Sequence, residues 1–262
     1  MLSAPVINGE IKELYDLLQN DKPFMLARYN DGEFIAITNW DYIYNCSADK
    51  SCGNIDGSKY YLELGKVLRD AILSDENKIL SNSKKYIFQS KLEHYKNYHN
   101  NKFNLNVDSL KNIKFNVPTI ISDFTDTIYS NPLLFSNIID NLNSKNLIVI
   151  GPNYLKKFKP LIVKKYIEIP LTDCFTFKDK IIQLITEEIN NGEKLCFLFM
   201  ASMTTNYIIE KMKNQVIDKH FMIDFGSAFD NFFSNKTFPH IRRRIYNEEF
   251  IKNNYPSNYW IE

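Results

Sequence analysis

Residues 195–200 read Leu-Cys-Phe-Leu-Phe-Met, six apolar positions without a polar break. A run of this length, closed by Ala201-Ser202, is the strand that a parallel sheet covered on both faces requires. Shorter runs of the same kind recur at 24–27, 117–122, 146–150 and 220–224. Between them lie stretches with apolar residues at helical spacing, notably 11–18, 59–74, 132–142, 177–190 and 203–212. Extended segment 162–169 ends at Pro170, and Asn191-Gly192 stops the helix before the 195–200 strand. Strands alternating with helices predict an α/β fold, Rossmann-like, with a mostly parallel sheet flanked by helices. No internal repeat or linker divides residues 1–262, so one domain is expected. Residues 41–58 read as a long loop, and 86–98 as a candidate helix that blurs into an Asn-rich stretch.

Composition narrows the function. The 262 residues carry 32 Lys and Arg against 31 Asp and Glu, a formal net charge of +1. That balance removes the electrostatic case for nucleic acid or an anionic membrane. No run approaches the ~18 apolar residues of a membrane span, and the start lacks a basic leader followed by an apolar stretch. A cytoplasmic, reduced setting is the expectation, with Cys46, Cys52, Cys174 and Cys196 showing no metal spacing. The bias toward Asn, Ile, Lys, Phe and Tyr makes a single Asn or Lys weak evidence of function.

Chemistry concentrates at strand ends, where open α/β sheets bind ligands. The 24–27 run ends in Arg28-Tyr29-Asn30-Asp31-Gly32-Glu33. Two carboxylates separated by a single residue can supply oxygen to one hard divalent ion. Gly32 removes bulk between them, and Arg28 suits an anion such as a diphosphate. Gly53-Asn54-Ile55-Asp56-Gly57 offers a polar loop, and Gly151-Pro152 a turn past the 146–150 strand. Ser202-Met203-Thr204-Thr205 places hydroxyls where a helix begins; they serve an anion or cap the helix. Asp224 ends a strand before Phe225-Gly226, with Asp230 beyond, and Arg242-Arg243-Arg244-Ile245-Tyr246 is a basic-aromatic segment. The four histidines show no ligand spacing.

The Arg-Tyr-Asn-Asp-Gly-Glu block resembles the D-x-E signature of the GT-D-fold glycosyltransferases. Short blocks at 148–153, 200–204 and 223–230 are similar to further motifs of that group, in the same order, over most of the chain. Asn30 stands where relatives usually have Gly, and Ser202 replaces their Gly-Pro-Thr pattern. The resemblance implies a metal-dependent transfer of sugar from a nucleoside diphosphate sugar, a UDP-sugar above all, to a glycan or glycoprotein acceptor. It implies Mn²⁺ or Mg²⁺ on Asp31 and Glu33, and Arg28 on a phosphate or holding the acids. Gly151 and Ser202 would let backbone approach the nucleotide, and Asp224 would bind hydroxyls or act as base. Asn54, Asp56, Pro152, Met203, Asp230, Arg244 and Tyr246 complete the implied substrate contacts. Nucleic acid is not an expected partner, and self-association into a homo-oligomer is left open. The alternative is a non-catalytic nucleotide-sugar or glycan-binding module of the same fold.

Other α/β enzymes fit less well. Asp123 and Asp126 in the 119–127 segment are three apart, where a haloacid-dehalogenase phosphatase needs two. No G-x-G-x-x-G turn, P-loop, G-x-S-x-G elbow or H-E-x-x-H occurs.

Overall fold

A computed structural model describes residues 11–38, 59–90, 119–120, 124–171, 173–234 and 248–262. Seven strands form one sheet: β1 (Met25–Tyr29), β2 (Tyr86–Ser90), β3 (Thr119–Ile120), β4 (Asn146–Pro152), β5 (Lys165–Ile169), β6 (Leu195–Phe199) and β7 (Phe221–Asp224). Their order across the sheet is β3-β2-β1-β7-β6-β4-β5. Every pairing between them is parallel, so all the carboxyl ends lie along one edge. The α/β expectation holds, and the sheet is parallel throughout the described residues.

Parallel strands need crossovers, and helices supply them on both faces. In chain order they are α1 (Ile11–Gln19), α2 (Asp31–Thr38), α3 (Lys59–Leu73), α4 (Asp75–Asn82), α5 (Phe124–Ser130), α6 (Pro132–Asn143), α7 (Lys178–Ile189), α8 (Thr204–Val216) and α9 (Glu248–Asn254). Strand residues alternate between two apolar layers, as the two-residue period requires. Met25, Ala27, Ile148, Ile150, Phe197 and Phe199 face α2, α3, α7 and α8. Leu26, Leu147, Val149, Leu198 and Ile223 face α1, α5, α6 and α9. In that second layer Phe135 packs against Phe225, Phe229, Phe232 and Tyr255. The segment after β7 is thereby anchored. A parallel bridge from Phe233 to Ile261 ties residues 259–261 to the same segment.

One expectation is corrected. Residues 86–90 are not the start of a helix; they form β2, paired with β1 from Met25↔Tyr86 to Tyr29↔Ser90. Tyr, Ile and Phe favour a buried strand, and pairing with a central neighbour decides the matter over local periodicity. Residues 91–98 and the 41–58 loop lie outside the described residues. Helices α4, α5 and α9 are additions, and α4 is opened by Ser74, whose Oγ accepts from the Asn77 N–H at 3.2 Å.

Helix α2 carries the acidic pair, and α3 locks it down. A Cβ on Gly65 would stand 1.9 Å from the Ala36 carbonyl oxygen, so only glycine permits this approach. Arg69 Nη2 donates to the Ile37 carbonyl at 2.7 Å, satisfying an orphan acceptor near the end of α2. Gly65→Ala should therefore destabilise the protein by about 1–3 kcal/mol through overpacking. That outcome runs against the roughly 1 kcal/mol gain in helix propensity expected on an open face. Urea unfolding of the pair measures it, and a stabilised variant would refute the contact.

Candidate active site

β1 and β7 are neighbours whose chains leave in opposite directions. After β1, Phe34, Ala36 and Ile37 join one apolar layer; after β7, Phe225, Ala228 and Phe229 join the other. Such a divergence opens a crevice at the carboxyl edge of a parallel sheet. Arg28, the last residue but one of β1, stands on one side of it, and Asp224 ends β7 on the other.

Arg28 is 7% exposed and held from several directions. Its Nε–H donates to Gln89 Oε1 at 3.1 Å, from the end of β2. Its guanidinium lies against the backbone of Gly226: a Cβ there would fall 1.6 Å from Nη1. Gly226 also has φ +56°, a conformation that side chains rarely adopt, so two constraints demand glycine at this turn. The main chain of Arg28 is held by Asn206, in the first turn of α8. Asn206 Oδ1 accepts from the Arg28 N–H at 3.3 Å, and its Nδ2 donates to the Arg28 carbonyl at 2.5 Å.

Asp224 is buried beside this cation. Its Oδ1 accepts from the Gly226 N–H at 2.9 Å, the short side-chain-to-backbone turn common for aspartate. Burial pushes its carboxyl up to about 6, even though the Arg28 charge and the Gly226 N–H both favour the ionised form. A carboxyl titrating near neutrality in a cleft can accept a proton or a sugar hydroxyl.

On the other side of Arg28 the chain turns into α2. Glu33 is buried, and its Oε2 accepts from the Asn30 N–H at 2.8 Å. With Phe34 N–H donating to the Asn30 carbonyl, Asn30 is the cap of α2 and Glu33 reaches back to it, as in a capping box. Glu33 thus has a structural task as well as its expected chemical one. Asn30 Oδ1 is buried and makes no hydrogen bond. Asp31 opens α2, but its side chain lies outside the described residues.

The other expected residues are spread along the same edge. Gly151 and Pro152 do not form a turn past the strand; they are the last two residues of β4, paired with Glu168 and Ile169. A Cβ on Gly151 would come 2.9 Å from Leu155 Cδ1 and 3.3 Å from Met200 Cε and Tyr166 Oη. The Pro152 carbonyl accepts from Tyr166 Oη at 2.8 Å. Ser202 follows β6 with φ +51°, a strained angle for a residue with a side chain. Met203 is buried in the core, so only its backbone could meet a ligand. It occupies the cap position of α8, with no side-chain capping bond, and Thr204 Oγ1 instead lies 3.0 Å from Cys174 Sγ. Asp230 accepts from Tyr154 Oη at 2.7 Å, binding the segment after β7 to the turn after β4. Asn54, Asp56, Arg244 and Tyr246 lie outside the described residues. Gln89 and Asn206, absent from the sequence-based candidates, complete the Arg28 setting.

The Asp224 carboxyl gives a pH test. Its folded value of about 6 stands above the ordinary 3.8, so the folded state keeps the proton that the unfolded state releases. Stability from this group is full below pH 4, falls as pH rises to about 6, and is level above that. Asp224→Asn removes the slope. Urea titrations should show the variant gaining on the parent by about 3 kcal/mol at most between pH 4 and 7. Parallel curves would mean the carboxyl is not buried in this way.

No protein-family model matches the sequence, and no curated protein matches it. Solved structures do. A glycosyltransferase (DUF1792) from Streptococcus sanguinis shares the fold with a TM-score of 0.59 and 13% identity, over 98% of this chain and 95% of that one. A second structure of domain of unknown function 1792, described as having a distinct glycosyltransferase fold, gives 0.57 and 15%, over 96% and 89%. The protein therefore has an α/β architecture that matches a glycosyltransferase fold.

Proposed function

We propose that the protein transfers a sugar from a nucleoside diphosphate sugar to a glycan or glycoprotein acceptor. The observation that carries this reading is the Arg28–Asp224 pair at the β1/β7 crevice, in a fold shared with structures named glycosyltransferases. Breaking the anomeric bond leaves negative charge on a diphosphate. A cation fixed beforehand where that charge appears lowers the barrier without reorganising. Arg28 is such a group: buried, planar and held at Nε by Gln89. Asp224, with its carboxyl near 6, is suited to hold a donor hydroxyl or to take the acceptor's proton. The end of β4 at Gly151 and the turn at Ser202 bring two further stretches of backbone to the same edge, and the strained angle at Ser202 accords with a ligand contact.

A divalent ion, Mn²⁺ or Mg²⁺, fits the residues at the start of α2. Among the described residues no cluster of three or more His, Cys, Asp or Glu forms a metal cage. Glu33 nevertheless offers a buried carboxylate, and Asn30 Oδ1 is a buried oxygen without a hydrogen bond. An oxygen-only donor set suits a hard cation. With Asp31, these residues would hold the ion, which when bound acts as a Lewis acid on the diphosphate. The protein's own share is to present the oxygens from a helix fixed by Gly65 and Arg69, beside Arg28.

Purified protein incubated with UDP-, GDP- and dTDP-sugars and Mn²⁺ should hydrolyse one donor slowly and transfer it when acceptor extract is added. Glu33→Gln keeps an acceptor for the Asn30 N–H but loses the carboxylate charge. It should lower that turnover by at least the ~10- to 100-fold that even an outer-shell metal partner is worth, with an unchanged melting temperature. Tight donor binding with no turnover in any condition would instead identify a binding module.

A further inference from the structure

We propose that Gln89 and Asn206 are positioning residues that set Arg28 for the donor diphosphate; the inference rests on the sugar-transfer reading above. The reason lies in how β1 is paired. The Met25 N–H donates toward β2, to the Lys85 carbonyl, while the Phe24 carbonyl accepts from Met222 on β7. In a strand these directions alternate, so the N–H and carbonyl of Arg28, like those of Phe24 and Leu26, point toward β7. The ladder with β7 joins Met25 to Met222 and Leu26 to Ile223, and β7 ends at Asp224. Past that point Arg28 lies beside the end of β7, where its backbone N–H donates to the Asp224 carboxylate.

Asn206 holds the same main-chain groups from α8. Its amide offers an acceptor and a donor on one rigid plane and uses both on Arg28, at 3.3 and 2.5 Å. Without it, the N–H and the carbonyl of Arg28 would each lose one hydrogen bond held away from water. Asn206 is fully buried, so the bonds are shielded from water. Because it stands in the first turn of α8, it also fixes the Arg28 backbone relative to the Ser202 turn two residues before that helix.

Gln89 acts on the side chain. It is 1% exposed, lies directly across from Arg28 in the β1–β2 register and accepts from Nε. A guanidinium bonded at Nε is fixed in rotation, and the Gly226 backbone limits it on one side. The outer edge of the fork then has one orientation before any ligand arrives. Pre-set geometry of this kind raises affinity by removing ordering cost on binding.

A double-mutant cycle read by calorimetry with UDP and Mn²⁺ tests this. Gln89→Met is close in size and has no oxygen for Nε; Arg28→Lys has no Nε–H in that position. Each should weaken UDP binding, Gln89→Met by about tenfold, and the double variant should bind no worse than Arg28→Lys alone. A Gln89 role confined to packing would give factors that multiply, and that result, or unchanged binding by Gln89→Met, overturns the inference while leaving the sugar-transfer reading intact. Failure of the parent protein to bind any nucleoside diphosphate overturns both. Asn206→Ala, with folding checked by its melting curve, should likewise weaken UDP binding about tenfold or more if two main-chain bonds of Arg28 are lost; parent-like affinity in a folded variant would refute its part.

Discussion

A cation buried among the ends of three strands organises this molecule. Arg28 cannot be left in an apolar interior without partners, since an isolated buried charge costs far more than one hydrogen bond returns. The chain surrounds it with a carboxyl, a side-chain amide, a glycine turn and a second amide on its backbone. Each comes from a different element: β7, β2, the turn after β7, and α8. Seating one side chain therefore requires the β2-β1-β7 order, the sharp turn at Gly226 and the start of α8 to be correct together. The demand for a compensated charge is thus also a specification of topology at this edge.

The two apolar layers make the arrangement rigid. The residues of β1, β2, β6 and β7 are buried on both faces, and the carboxyl edge is where this covering ends. Elements leaving the edge go to alternate layers, so the crevice walls are backed by different sets of packed side chains. Phe225 and Phe229 back one wall through the Phe135 cluster. Phe34 and Ile37 back the other through α3. Interiors packed to this degree resist small displacements, which favours a site whose geometry exists before its ligand.

Much of this was legible in the sequence, for identifiable reasons. The apolar runs at 24–27, 146–150 and 195–200 are buried strands because a parallel sheet needs unbroken hydrophobic segments. Arg28, Glu33 and Asp224 stood out because charge next to such a run has few structural explanations. β2 escaped because its apolar core is only Tyr86-Ile87-Phe88, and its conformation is decided by β1 beside it. Gln89 and Asn206 escaped for another reason. They are neutral, the chain is rich in Asn, and their importance arises only when the register sets them against Arg28. Gly65 was silent too, since a glycine in a helix shows its purpose only once the neighbouring helix is in place.

The Asp224–Arg28 pair carries a further implication for how ligand and solvent exchange charge. Its carboxyl stays near 6 partly because a single guanidinium offsets the cost of burial. An anion that settles on that guanidinium competes for its field and makes the ionised carboxylate less favourable. Association of an anionic ligand near neutral pH would then be accompanied by net proton uptake from the medium. Its observed heat would vary with the ionisation enthalpy of the buffer, and its affinity would improve as the solution is made mildly acidic.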